Sequence, residues 1–244
     1  MCRMIGVVYR KDFPMESLID LRDVAQTGLI PGEPDPGHKD GWGIVSFRNG
    51  SPLYVGRSTR PIFKDESFES ARHDVIKIQP PNILVAHARA LSSGAATMSN
   101  THPFVMNGMV LCHNGTVKNI GFKPRRPTKG ETDSEKLLAR LIDRVEESGD
   151  LEGSIKNLVS EDIHPLEYTA AIMFISDGMR LFAYRDYSPG RSPDYYNLKM
   201  AVGNDSVAFF QETRTGYEGE IAQIENGELV TVDLDLNIKR QLLT

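Results

Sequence analysis

Cysteine at position 2 places a thiol one residue from the start of the chain. Removal of Met1 would leave that residue with its own α-amine, and a thiol and an amine on one residue make a compact nucleophile and base that need no separate histidine. Reference acidities of roughly 7.7 to 8.0 for the amine and 8.5 for the thiol lie close enough to neutrality for a proton to pass between them. Four further segments hold polar residues where packing is a thin explanation. In Ala86-His87-Ala88-Arg89-Ala90 an arginine sits among small and apolar residues, and a buried guanidinium must meet a carboxylate of the protein or of a ligand. Cys112-His113-Asn114-Gly115-Thr116 reads first as a hairpin turn, Asn-Gly being the commonest short turn signal. Its alternative is an Asn114 amide and a Gly115 backbone N–H aimed together at a developing oxyanion. Gly130-Glu131-Thr132-Asp133-Ser134-Glu135 opens a helix, where Asp133 favours the dipole or, placed in a pocket, binds an ammonium. His38-Lys39-Asp40-Gly41-Trp42-Gly43-Ile44 sets the single tryptophan between two glycines and reads as a tight turn feeding an aromatic into the core.

Other chemistries find less support. His87, His102, His113, Cys2 and Cys112 are metal-ligand types, but Cys112 and His113 are neighbours on an expected strand and face opposite sides. No C-x-x-C or H-x-x-x-H spacing occurs. A G-x-S-x-G elbow and the Gly-rich phosphate loops are missing too.

Elements able to position these residues are legible along the chain. Cys2 to Tyr9 is apolar and β-branched and reads as a buried strand that sets Cys2 at the end of a sheet. Pro14 leads a helical pattern through Leu18, Leu21 and Ala25 that stops at Gly28. Trp42 to Phe47, Asn82 to Ala90 and Met109 to His113 read as strands, the second sending Ile83, Val85, His87 and Arg89 to one face. Thr132 caps a helix with Glu135 three places on, and a second helix covers Leu151 to Val159. After Pro165 the chain turns to strand, with runs at Tyr168 to Ile175, Leu181 to Arg185, Met200 to Val202, Val207 to Phe210, Glu220 to Glu225 and Leu229 to Leu234. Strands at both ends with helices between them fit one layered α+β domain over residues 1–244 better than alternating βαβ units.

Composition is ordinary for a soluble globular chain: 40% apolar, 25% charged, net charge -5. Nothing in that charge favours nucleic acid or an anionic membrane as partner. The cluster Lys123, Arg125, Arg126, Lys129 is broken by prolines and reads as a solvated loop. Two cysteines without a secretory leader or an apolar span of membrane length place the chain in a reducing cytoplasm.

Taken in order, Met1-Cys2, Asp40-Gly41-Trp42-Gly43, His87-Ala88-Arg89, Thr101-His102-Pro103-Phe104, His113-Asn114-Gly115 and Thr132-Asp133-Ser134-Glu135 resemble the class II glutamine amidotransferase domain, an N-terminal-nucleophile hydrolase of stand-alone type. His38-Lys39 stands where many members carry Arg-Gly. The resemblance implies a four-layer αββα sandwich of two stacked antiparallel sheets. It implies Cys2 as nucleophile, Asn114 and Gly115 as oxyanion hole, Arg89 for the α-carboxylate of glutamine and Asp133 for its α-ammonium. His102 and Ser92 are implied as further pocket residues. The implied reaction is hydrolysis of the glutamine side-chain amide through a Cys2 thioester, with no metal or organic cofactor and a possible separate synthase subunit accepting ammonia. Two alternatives accompany it: hydrolysis of a larger γ-glutamyl metabolite, and a catalytically silent glutamine-binding regulatory subunit.

Overall fold

A computed structural model describes residues 2–91, 94–213, 217 and 219–243. Among the described residues, thirteen strands form two antiparallel sheets. Sheet A holds β1 (Arg3–Tyr9), β2 (Trp42–Arg48), β3 (Ser51–Ser58), β4 (Asn82–Ala88), β9 (Lys199–Val202), β10 (Ser206–Phe210) and β11 (Glu220–Gln223), in the order β11-β9-β10-β1-β4-β2-β3. Sheet B holds β5 (Phe104–Met106), β6 (Met109–Val117), β7 (Tyr168–Ser176), β8 (Arg180–Arg185), β12 (Glu228–Asp233) and β13 (Ile238–Leu242), in the order β13-β12-β8-β7-β6-β5. Helices α1 (Glu16–Thr27) and α2 (Glu66–Val75) cover the outer face of sheet A, while α3 (Asp133–Ser148) and α4 (Leu151–Asn157) cover that of sheet B. The four layers are those of the αββα sandwich.

The central strands read as continuous apolar runs because both of their faces are buried. Along β1, Met4 and Val8 enter the core between the sheets, while Ile5, Val7 and Tyr9 pack outward beneath α1 and α2. β6 divides likewise, with Val110 and Cys112 turned inward and Leu111 turned out toward Leu137, Leu138, Leu141 and Ile142 of α3. That helix starts at Thr132, whose Oγ1 accepts from Glu135 N (3.3 Å), and stops at Gly149 in the left-handed region. The Glu135 carboxylate accepts from Lys129 N and Gly130 N, so it braces the incoming loop instead of closing a reciprocal capping box. Arg125 and Arg126 of the basic cluster pair with Glu147, Asp143 and Glu146 on α3.

Two expectations are revised. Asn114-Gly115 is no turn: both residues lie inside β6, paired with Ile172 and Ala171 of β7. β4 ends at Ala88, which leaves Arg89 just past the strand.

Candidate active site

Cys2 stands one residue before β1, at the end of a central strand of sheet A, and is 7% exposed. Alternation places it on the Met4 side, facing the gap between the sheets. Across that gap Asn114 lies on the inward face of β6 with Cys112. Its Oδ1 accepts from the Cys2 nitrogen at 3.0 Å, a hydrogen bond that joins the two sheets at the candidate nucleophile. Asn114 Nδ2 is buried and has no hydrogen-bond partner among the described residues. The Cys2 thiol lies 3.7 Å from the Ala90 carbonyl oxygen.

Gly115 is required by space. A Cβ there would lie 1.8 Å from Ala170 O. The ladder with β7 is irregular between Gly115 and Val117, and such a bulge frees backbone N–H groups from strand pairing. Two of these are met by side chains: Thr116 N donates to Thr169 Oγ1 (3.0 Å) and Val117 N to Asp133 Oδ2 (2.7 Å). Asp133 is thus fixed at the first turn of α3 against the end of β6, with Oδ1 accepting from Ser134 N (2.9 Å). It lines a cavity of about 200 Å³ with Thr116, Glu131 and Lys136. His113, on the outward face, contacts Ser134 Oγ through Nδ1 (3.0 Å) and Ala170 O through Nε2 (3.1 Å). Because a carbonyl only accepts, Nε2 is the protonated nitrogen.

Arg89 is 3% exposed, and its Nη1 donates to Ala95 O at 3.1 Å. Burial lowers its pKa, opposed by the Cys2 thiol and the Asp40 carboxylate nearby. The segment it belongs to is clamped by Asp40-Gly41. Asp40 N donates to Arg89 O (2.9 Å), Arg89 N to Gly41 O (2.8 Å) and Leu91 N to Asp40 Oδ2 (2.7 Å). Asp40-Gly41 therefore fixes Ala90, whose carbonyl meets the thiol, in place of the simple turn expected of it. Asn100 ties Ala95 to the segment that leads into α3, donating to Ala95 O (3.1 Å) and accepting from Glu131 N (2.9 Å).

His102 is buried between the sheets, stacked on His87 at 4.3 Å and edge-on to Phe104 at 4.5 Å. None of the four nitrogens of the two imidazoles has a partner among the described residues, and burial pushes both rings well below the usual histidine range. Gly43 permits this packing, since a Cβ there would lie 2.4 Å from His102 O. Ser92 and Met1 lie outside the described residues.

Arg3 is a site residue that sequence reasoning passed over. It is 5% exposed, donates to Cys2 O (3.2 Å) and binds Glu212 Oε2 through Nε and Nη2 (3.2 and 3.1 Å). The signal was an arginine beside the candidate nucleophile on a buried strand, the same anomaly that marked Arg89. A larger groove of about 570 Å³, lined by Phe47, Leu53, Ile78 and Met179, lies at the opposite end of sheet A.

The sequence profile of class II glutamine amidotransferases matches residues 1–224. The chain belongs to the class II glutamine amidotransferase family. It is 30% identical over 220 residues to an uncharacterized protein of Methanocaldococcus jannaschii, covering 83% of this chain and 56% of that protein. It is 25% identical to the glutamine–fructose-6-phosphate aminotransferase (isomerizing) of Zymomonas mobilis, over 95% of this chain and 35% of that protein. The chain thus spans about half or less of the length of these relatives. Among solved structures, the glutamine phosphoribosylpyrophosphate amidotransferase of B. subtilis superposes with a TM-score of 0.67 at 17% identity, over 100% of this chain and 49% of that one. A glutamine aminotransferase class-II domain protein of Silicibacter pomeroyi gives 0.62 at 17%, over 98% of each chain. These two likenesses show the amidotransferase sandwich as a fold.

Proposed function

We propose that this class II amidotransferase chain hydrolyses the side-chain amide of glutamine to glutamate and ammonia through a thioester on Cys2. The observation that carries the reading is the division of labour in Asn114: Oδ1 holds the Cys2 nitrogen, while the buried Nδ2 has no described partner and is left to donate. With Met1 removed, the α-amine takes the thiol proton as sulfur attacks the Cδ carbonyl. Asn114 Nδ2 and the Gly115 N–H stabilise the oxyanion. The C–N bond breaks, the amine returns its proton to the departing ammonia, and water then hydrolyses the thioester. Arg89 fits the α-carboxylate with its bidentate fork, Asp133 the α-ammonium, and His102 and Ser92 complete the pocket.

Ammonia so released is proposed to serve an acceptor on a separate synthase subunit. The test is glutamate release from glutamine by protein whose intact mass shows Met1 removed. We expect turnover that Cys2→Ala abolishes without loss of fold. Full turnover by a homogeneous Met1-retaining preparation overturns the role of the α-amine.

A further inference from the structure

Two polar side chains buried between the sheets, Gln211 just past β10 and Tyr195 in the connection from β8 to β9, have no part in the mechanism above. Phe209 packs between the sheets and Phe210 on the outer face, so alternation turns the next residue, Gln211, back into the gap. Ile5 faces Phe210 across the ladder, which sets Gln211 beside Met4, two residues along the chain from Cys2. Gln211 is 3% exposed, and neither Nε2 nor Oε1 has a hydrogen-bond partner among the described residues. Tyr195, 8% exposed and packed into the same inter-sheet core, has a hydroxyl in the same condition. Its ring lies 4.5 Å beneath the Arg3 guanidinium, and Arg3 in turn holds both Cys2 O and Glu212, the neighbour of Gln211. A buried amide and a buried hydroxyl left unmade are costly, and two of them beside one nucleophile mark a place where something else supplies the partner.

The disposition around Cys2 says what that is. β1 lies between β4 and β10 in sheet A. Arg89 approaches from the β4 side, Asn114 from sheet B, and Gln211 from the β10 side. A tetrahedral carbon on the Cys2 sulfur has four substituents: sulfur, the oxyanion at Asn114, the glutamyl arm toward Arg89, and the leaving nitrogen. The direction that remains for the nitrogen is the β10 side.

We propose that Gln211 and Tyr195 form the subsite for the leaving amine and select an unsubstituted carboxamide. This inference rests on the thioester reading above. In the substrate amide an N–H donates to Gln211 Oε1. The second N–H donates to the Tyr195 hydroxyl oxygen, and both contacts strengthen toward the transition state as the nitrogen takes up a proton and becomes positively charged. The proton that converts the nitrogen to ammonia still comes from the Cys2 α-amine, as the C–N bond breaks. Burial raises the Tyr195 phenol far above neutrality and keeps its oxygen a neutral hydrogen-bond acceptor. Both side chains are closed off from solvent, which suits an NH2 group better than a bulky amine.

The test compares L-glutamine with L-glutamate γ-methyl ester. Both present the same glutamyl arm and acylate Cys2 to the same thioester, but the ester's leaving group has no N–H. For Gln211→Leu and Tyr195→Phe we expect kcat/KM on the amide to fall about tenfold or more and kcat/KM on the ester to stay within about twofold. Wild type should also prefer glutamine to its γ-N-ethyl derivative, a preference that Gln211→Leu weakens. Parallel losses on amide and ester, or no loss on the amide, overturn the subsite. If Gln211→Leu does not fold, the isosteric Tyr195→Phe decides alone. Wild type that cleaves neither substrate removes the amidase reading and this inference with it, whereas wild-type turnover with unchanged amide-to-ester ratios in the variants removes only the subsite.

Discussion

Asn114 makes two separable demands of one carboxamide. Its oxygen accepts from the Cys2 nitrogen and its amide nitrogen is held in reserve, so Asn114→Asp keeps the acceptor and replaces the donor with negative charge. Loss of one oxyanion donor costs about 2.7–4 kcal/mol, or roughly a hundred- to a thousandfold in kcat. Asn114→Ala should show that loss, and Asn114→Asp should recover none of it, in steady-state kinetics at a temperature where both remain folded. An Asn114→Asp enzyme near wild-type kcat would mean that the reserved N–H does no chemistry. Arg89 and Asp133 answer a different measurement. Hydrogen bonds to charged groups contribute about 1.5–3 kcal/mol, which predicts about ten- to two-hundredfold in kcat/KM for Arg89→Ala, with Arg89→Lys still impaired because a point charge lacks the fork. Asp133 also holds Val117 N, so Asp133→Ala should lose melting temperature as well as kcat/KM, a double signature checked by thermal denaturation beside the kinetics. At this scale the sequence was informative at some, but not all, of the polar residues on apolar strands, Arg3 being passed over. Arg89 was found that way, Cys2 by its place after Met1 and Asn114 by its Asn-Gly segment, while Gln211 and Tyr195 were missed because nothing local distinguishes a buried glutamine or tyrosine that lacks a partner.

The elements explain which parts of the pattern could be read. β1, β4 and β7 are buried on both faces, so their apolar runs announce themselves, and α3 declares itself through Thr132, its leucine stripe and Gly149. β3 was missed because Pro52 and Gly56 interrupt an edge strand, where only one side needs pairing. β13 was missed because it is polar and exposed. The cost of burying β4 and its neighbours shows in their histidines. His87 and His102 are held well below the ordinary histidine range by burial, and His38 is lowered to about 3 by burial and then by Arg3. A folded pKa depressed below the unfolded value of about 6.5 leaves stability intact above that value and erodes it as pH falls, since only the unfolded chain takes up the proton. Each such ring should remove up to about 1.4 kcal/mol per pH unit once the solution is well below pH 6.5. We therefore expect the melting temperature to drop between pH 6.5 and 5, before most carboxylates titrate. His38→Leu should flatten that slope by about one proton's worth; an unchanged slope would show that His38 is not neutral in the fold.

Sheet spacing is a property of the whole molecule, and the proposed chemistry depends on it because Cys2 comes from one sheet and Asn114 from the other. The sheets approach closely along the strand that follows Cys2. Gly6, four residues along β1 from Cys2, faces sheet B so closely that an added Cβ would lie 3.0 Å from Leu181 Cδ2 and 3.3 Å from Phe174 Cδ2. Both neighbours are themselves fully buried between the sheets, so they have little room to retreat. Gly6→Val should overpack this contact, costing about 1–3 kcal/mol or more, and wedge the sheets apart near the Cys2–Asn114 hydrogen bond. Near-attack geometry tolerates little displacement, so kcat should fall even among molecules that stay folded. Trimming the opposing side chain in Gly6→Val with Leu181→Ala should return both melting temperature and kcat toward wild type, because the volume added on one sheet is removed from the other. The decisive quantity is kcat for Gly6→Val well below its melting temperature. If it equals the wild-type value while stability is lost, the distance between the sheets does not set the geometry of the candidate nucleophile, and the Cys2–Asn114 bond is held by local structure alone.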